Sequence, residues 1–217
     1  VFDHRGKQRL DLTPYLSKDE RQLALYDESI QDRQHPLPDS IHSVHYAEAI
    51  TMNQTVDTLF LYDLPPSLED LSSILKLLDP INIHVCFYVH ESLYLDTFPN
   101  RADFKWLYGF IHSHKRLNYH KAIKHIQQGI GWSKENITFM VDVFLELQFV
   151  KIEDEHIILN PKPEKRELHT SQVYKKRLQR IEMEKRLYYS SYKQLKDYVA
   201  QLLKLDDVAK EETVYGL

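Results

Sequence analysis

The chain has 217 residues, 42% hydrophobic and 28% charged, with a formal net charge of −4, which is long enough for one large domain or two small ones with buried cores. No apolar run approaches the roughly 20 residues of a membrane span, and no basic-then-apolar leader opens the chain. Cys86 is the single cysteine, so an internal disulfide and a thiolate metal cluster are excluded and a reducing cytoplasm is the expected location.

The chain begins at Val1 rather than Met, as expected of a segment of a longer protein. Charge is unevenly distributed along it. Residues 1–100 carry seven Lys and Arg against sixteen Asp and Glu, a net of −9, whereas residues 101–190 carry seventeen against eleven, a net of +6. An acidic half joined to a basic segment implies two units with different surfaces.

The first hundred residues alternate short β-rich runs with polar or helical stretches. Residues 1–5, 23–27, 41–46, 58–63 and 83–89 read as strands, several of them continuously apolar and suited to a sheet covered on both faces. Cys86 lies in the last of these runs and reads as a buried, inert thiol. After Leu64-Pro65-Pro66 comes an amphipathic stretch over residues 67–78, where Ser67 and Asp70 have capping-box spacing. Strand, capped helix and strand make a βαβ unit, so a small parallel sheet is expected. Neither GxGxxG nor GxxxxGK[ST] occurs, so this Rossmann-like layer lacks the turn that cradles nucleotide phosphates.

Phe98-Pro99-Asn100 marks a boundary where the apolar period becomes helical. Phe104, Leu107, Tyr108 and Ile111 place a helix over residues 101–113. A second covers 119–127 and ends at Gly129-Ile130-Gly131, and a third is capped by Ser133. The runs 149–152 and 156–159, joined at Glu153-Asp154-Glu155, read as a hairpin. Three helices followed by a hairpin is the winged-helix order. Beyond Pro161 and Pro163 a long helical pattern runs over residues 171–204. The expected architecture is therefore α/β: a Rossmann-like parallel-sheet domain over 1–98, a winged-helix-like α+β domain over 99–163, and a C-terminal helical extension over 164–217.

Twelve histidines invite a metal reading. The closest pairs are His42/His45, His112/His114 and His120/His125, and none sits in an HExxH pattern. On a helix, positions five apart diverge by about 140°. Asp3-His4-Arg5 resembles the start of an Asp-His-His phosphoesterase motif, but Arg5 stands where a second histidine is needed, and nothing nearby completes a two-metal set. No nucleophile elbow is present and no activating base is evident for Cys86. No catalytic, cofactor-binding or metal residue is therefore assigned.

The basic residues Lys162, Lys165, Arg166, Lys175, Lys176, Arg177, Arg180, Lys185 and Arg186 fall within 25 residues, close to Tyr174, Tyr188, Tyr189 and Tyr192. Cations for phosphates and rings for bases suit single-stranded nucleic acid or an acidic partner. A solvated helix face is the alternative, since Glu182 and Arg186 have the spacing of an i,i+4 pair. Duplex reading by the third helix is disfavoured. Its outer positions are Glu135, Asp142 and Glu146 against Lys134, and the hairpin tip is acidic.

Three strings, Phe104-Lys105-Trp106-Leu107-Tyr108, Gly131-Trp132-Ser133-Lys134 and Phe149-Val150-Lys151-Ile152, together resemble the C-terminal region of the bacterial RecJ family of single-strand-specific DNA exonucleases. So do residues 187–197, Val1-Phe2-Asp3-His4-Arg5-Gly6 and Leu61-Tyr62-Asp63-Leu64-Pro65-Pro66, and the likeness covers in effect the whole chain. The resemblance implies a parent enzyme that degrades single-stranded DNA from the 5′ end with Mg²⁺ or Mn²⁺ in recombination and repair. It places the metal ligands in an N-terminal phosphoesterase core with no counterpart in these residues, and the oligonucleotide-binding barrel upstream. The segment itself is then an accessory one, docking single-strand binding protein or other repair proteins and guiding single-stranded DNA, with a monomer as the default state. Two other classes stand beside it: a free-standing metal-dependent hydrolase with histidine ligands, and a winged-helix DNA-binding regulator.

Overall fold

The computed structural model describes residues 1–6, 11–27, 40–87, 89 and 91–204. Tyr88 of the fifth expected strand, His35 and His90 of the twelve histidines, and residues 205–217 of the expected helical extension lie outside the described residues.

Five short strands form one parallel sheet: β1 (Phe2–Asp3), β2 (Gln22–Tyr26), β3 (His42–His45), β4 (Thr58–Leu61) and β5 (Asn82–Val85), in the order β1-β5-β4-β2-β3. The continuously apolar strands are explained by two covered faces. Leu23, Leu25, Leu59, Leu61, Ile83 and Val85 belong to one core, while Ala24, Phe60, Tyr62 and Cys86 belong to a second with Leu12 and Ile41. Cys86 is buried, as its place in an apolar run required.

A four-residue helix, α1 (Tyr46–Ala49), follows β3, and β4, α2 (Leu68–Leu78) and β5 form the βαβ unit. Ser67 caps α2 by accepting the Asp70 N–H at 3.0 Å, and its hydroxyl donates to the Asp70 carboxylate at 2.8 Å. The chain leaves α2 through Asp79 in the left-handed region at φ 44°.

Residues 93–179 form a separate unit. Its elements are α3 (Arg101–His114), β6 (Arg116–Asn118), α4 (Tyr119–Ile130), α5 (Lys134–Glu146), β7 (Val150–Glu153) and β8 (His156–Leu159). Asn100 and Asp103 make a reciprocal capping box at the head of α3, Asn118 caps α4 and Ser133 caps α5. Helix α4 runs through Gly129 and stops at Gly131, where φ is 82°. The short strand β6 pairs with β8, making a three-stranded antiparallel sheet ordered β6-β8-β7. Helix, strand, two helices and a hairpin complete the winged-helix order. Three residues carry too little periodicity to be read as a strand, and only pairing with β8 makes Arg116–Asn118 one.

The long helical pattern at the C-terminus is broken in three: α6 (Gln172–Met183), a π-helical turn (Glu184–Tyr188) and α7 (Tyr192–Lys204). In the π turn the Tyr189 N–H reaches the Glu184 carbonyl at 2.9 Å, one residue beyond the α-helical register. The unit boundary falls inside α6, between Gln179 and Arg180. Residues 180–217 are grouped with residues 1–92, where the sequence pattern set a single extension apart from 164 onward. The reason is burial: Leu187, Leu195, Val199 and Leu202 are in the same core as Leu71, Ile74 and Leu78 of α2. Among the described residues no helix is long and apolar enough to cross a membrane.

Candidate nucleic-acid interface

The unit formed by residues 93–179 contains a groove of about 360 Å³ between the first turns of α3, the end of α5 and the segment that follows the hairpin. Positions 101, 104, 105 and 108 share one face of α3, because i, i+3, i+4 and i+7 align on a helix. Phe104, Tyr108, Phe144 and Phe149 floor the groove, with ring centroids 5.8 to 6.1 Å apart in tilted and edge-on pairs. Arg101, Lys105, Lys165 and Arg166 stand around it together with Glu164 and Glu167. Arg166 meets Glu164 at 2.8 Å, but both are exposed and such a pair is readily exchanged for a phosphate. Charges that surround an aromatic floor can hold an anion while a flat or apolar group occupies the hollow.

The nine basic residues singled out from sequence are divided by the fold. Lys162, Lys165, Arg166, Lys175 and Lys176 are exposed in the 93–179 unit. Arg177 is in the same unit but turned inward. Its guanidinium donates to the Asn136 side chain, lies 3.6 Å from Asp96 and sits 4.4 Å over the Phe139 ring. Burial lowers its pKa from the ordinary value, opposed by Asp96 and Glu135. Arg180, Lys185 and Arg186 are grouped with residues 1–92. There Arg180 lies 3.4 Å from the buried Glu184, Arg186 donates to Glu182 at 2.5 Å and lies 5.7 Å from the Tyr198 ring, and Lys185 is exposed. The groove therefore gathers Lys165 and Arg166 from the sequence set and adds Arg101 and Lys105. The signal that could have found those two was their shared helical face with Phe104 and Tyr108.

Glu146, placed by its sequence position on an outward face of the third helix, has a structural task. Its carboxylate accepts the Ser171 hydroxyl and the N–H groups of Gln172 and Val173, at 2.8 and 3.0 Å for the latter two. These bonds hold its pKa below the ordinary carboxylate value.

The Asp3-His4-Arg5 string is likewise structural in its arrangement. Arg5 pairs with Asp3 at 2.7 Å and donates to the carbonyls of Leu187 and Tyr188 and to the Ser190 hydroxyl. It thereby satisfies acceptors left over at the end of the π turn. Burial pushes the Asp3 carboxyl up, yet its bonds to Arg5 and the nearby charge hold it below the ordinary value. His4 and His84 share a buried hydrogen bond of 3.0 Å, stacked at 9° with Tyr15 edge-on to both rings. Among the described residues no three His, Cys, Asp or Glu side chains group to hold a metal ion.

The described residues form a parallel α/β unit and a winged-helix-like unit, the latter with a cation-lined aromatic groove. The chain belongs to the family described as the C-terminal domain of single-strand DNA-specific exonucleases, whose model matches residues 1–199. It is 38% identical over 155 residues to the single-stranded-DNA-specific exonuclease RecJ of Bacillus subtilis (strain 168), covering 71% of this chain and 20% of that protein. The chain thus spans about a fifth of the length of the curated relative it matches. No solved structure matches it.

Proposed function

We propose that this chain is a non-catalytic accessory region of a RecJ-type 5′ to 3′ exonuclease that holds single-stranded DNA and docks repair proteins beside a nuclease core formed by other residues. The reading places the protein in the cytoplasm, in recombination and repair, with Mg²⁺ or Mn²⁺ serving the core and single-strand binding protein among the partners. The segment itself works as a monomer without a cofactor of its own.

The observation that supports a DNA contact is the groove in which Arg101, Lys105, Lys165 and Arg166 surround the Phe104–Tyr108–Phe144–Phe149 floor. Phosphates are held by such cations through counterion release, which makes the affinity depend on salt. Rings beneath them give a base or an apolar side chain a place to pack.

The test is fluorescence anisotropy of a labelled single-stranded oligonucleotide with the 217-residue chain across a salt series. Micromolar or tighter binding that weakens as salt rises is expected. Lys165→Glu with Arg166→Glu should lower the slope of log K against log salt by about 1.4, the value for two phosphate contacts to a single strand. No binding at low salt, or a double variant that binds with an unchanged slope, would overturn the groove as a DNA contact.

A further inference from the structure

We infer that the outer faces of α3 and α4, with the turn that joins α4 to α5, carry a base-stacking platform for single-stranded DNA formed by Trp106, Phe110, His125 and Trp132, away from the groove. The inference rests on the reading that this chain handles single strands, and it identifies a second set of residues for doing so.

Trp106, Phe110 and His114 recur every fourth residue and so form one stripe along α3. The core-facing residues of the same helix are Phe104, Leu107 and Ile111, each no more than 3% exposed, whereas Trp106 is 40% exposed. The rings touch one another in series. Trp132 lies edge-on to Trp106 at 5.2 Å, and Trp106 stacks on Phe110 at 5.4 Å and 11°. Phe110 in turn stacks on His125 at 6.0 Å and 19°, with His114 tilted against it at 4.5 Å. Nearly parallel rings that remain partly open to solvent are a surface onto which further flat groups can add, and every base has such a face.

Gly109 lies beside this stripe, one residue before Phe110. A Cβ placed there would meet nothing within 4 Å, so packing does not demand the glycine.

The charge pattern commits the surface to an anionic occupant. Between Asp103 and Glu135 there is no acidic residue at all, whereas the chain's average would put between four and five in those 31 positions. The same stretch holds six Lys and Arg and four His; of the six, Lys105 stands at the groove and Arg116 lies 3.8 Å from Asp154. On α4, Lys121 and Lys124 are exposed, and Lys121 is one turn from His125. Rings bordered by exposed cations are how single strands are bound without reading their sequence. Duplex DNA keeps its bases paired and stacked on each other, so it offers these rings nothing.

Trp106 and Trp132 are the chain's two tryptophans, so tryptophan emission, excited selectively over the tyrosines, reports on this platform alone. The 217-residue chain is titrated with an oligothymidylate of about 15 nucleotides, within the span of one binding module, and with an abasic strand of equal length. The thymidylate should quench tryptophan emission and the abasic strand should not. Trp106→Ala should weaken thymidylate binding about tenfold, as loss of one stacking contact does, while Trp106→Phe retains most of the affinity. Binding seen by anisotropy without quenching, equal quenching by both strands, or equal losses for the two variants would each overturn the platform and leave the groove reading standing. No binding in either measurement would remove both.

Discussion

At the scale of single residues, the buried His4–His84 pair has the clearest consequence. Burial, and then the neighbouring His4, lower the His84 pKa from 6.5 to about 4. A histidine held neutral in the fold stabilises it fully above its unfolded pKa. As pH falls below about 6.5 the unfolded chain takes up a proton that the folded chain refuses until near pH 4, so stability is lost across that window. The loss due to His84 at pH 5 is about 2 kcal/mol relative to neutral pH. Urea denaturation of the parent chain and of His84→Asn, each at pH 7 and pH 5, checks this. The variant should show a drop smaller by about that amount, and equal drops would contradict it.

At the scale of elements, the start of α6 depends on a side chain from another helix. Glu146, at the end of α5, fills the N–H groups of Gln172 and Val173, which α6 cannot satisfy within itself. Ser171 adds a conventional cap by accepting the Tyr174 N–H at 3.1 Å. Glu146→Ala should cost about 1 kcal/mol, as loss of a helix cap does, and lower the thermal midpoint by roughly 2–4 °C. A midpoint unchanged in a thermal scan would mean that Ser171 alone caps the helix.

At the scale of the whole molecule, the sheet unit is built from both ends of the chain. Leu195, Val199 and Leu202 of α7 are buried in one core with α2 and strands β2, β4 and β5. Leu195 has 0% exposure, so Leu195→Ala leaves a cavity and should cost about 2–5 kcal/mol. Amide hydrogen exchange at Leu59 of β4 and Ile83 of β5 should accelerate in the variant. Unchanged exchange in those strands would show that α7 does not support the sheet.

Sequence pattern alone determined the parallel sheet, the βαβ unit, the helix caps at Ser67 and Ser133, the winged-helix order and the RecJ resemblance. Each of these rests on residues close together along the chain: an apolar period, a cap three residues from its partner, a run of family-typical residues. It did not show that the pattern over 171–204 divides at a π turn, that three residues after α3 make a strand, or that Arg101 and Lys105 join Lys165 and Arg166. Nor could it separate cations that are exposed from those already engaged. Lys175 and Arg177 look alike in a basic run, yet Lys175 is exposed while Arg177 is held by Asn136 and Asp96. Local pattern sets which element forms, because backbone hydrogen bonds and helix faces are local. Whether a charge is available to a partner is set by desolvation and by neighbours from distant parts of the chain, and only the tertiary structure brings those together.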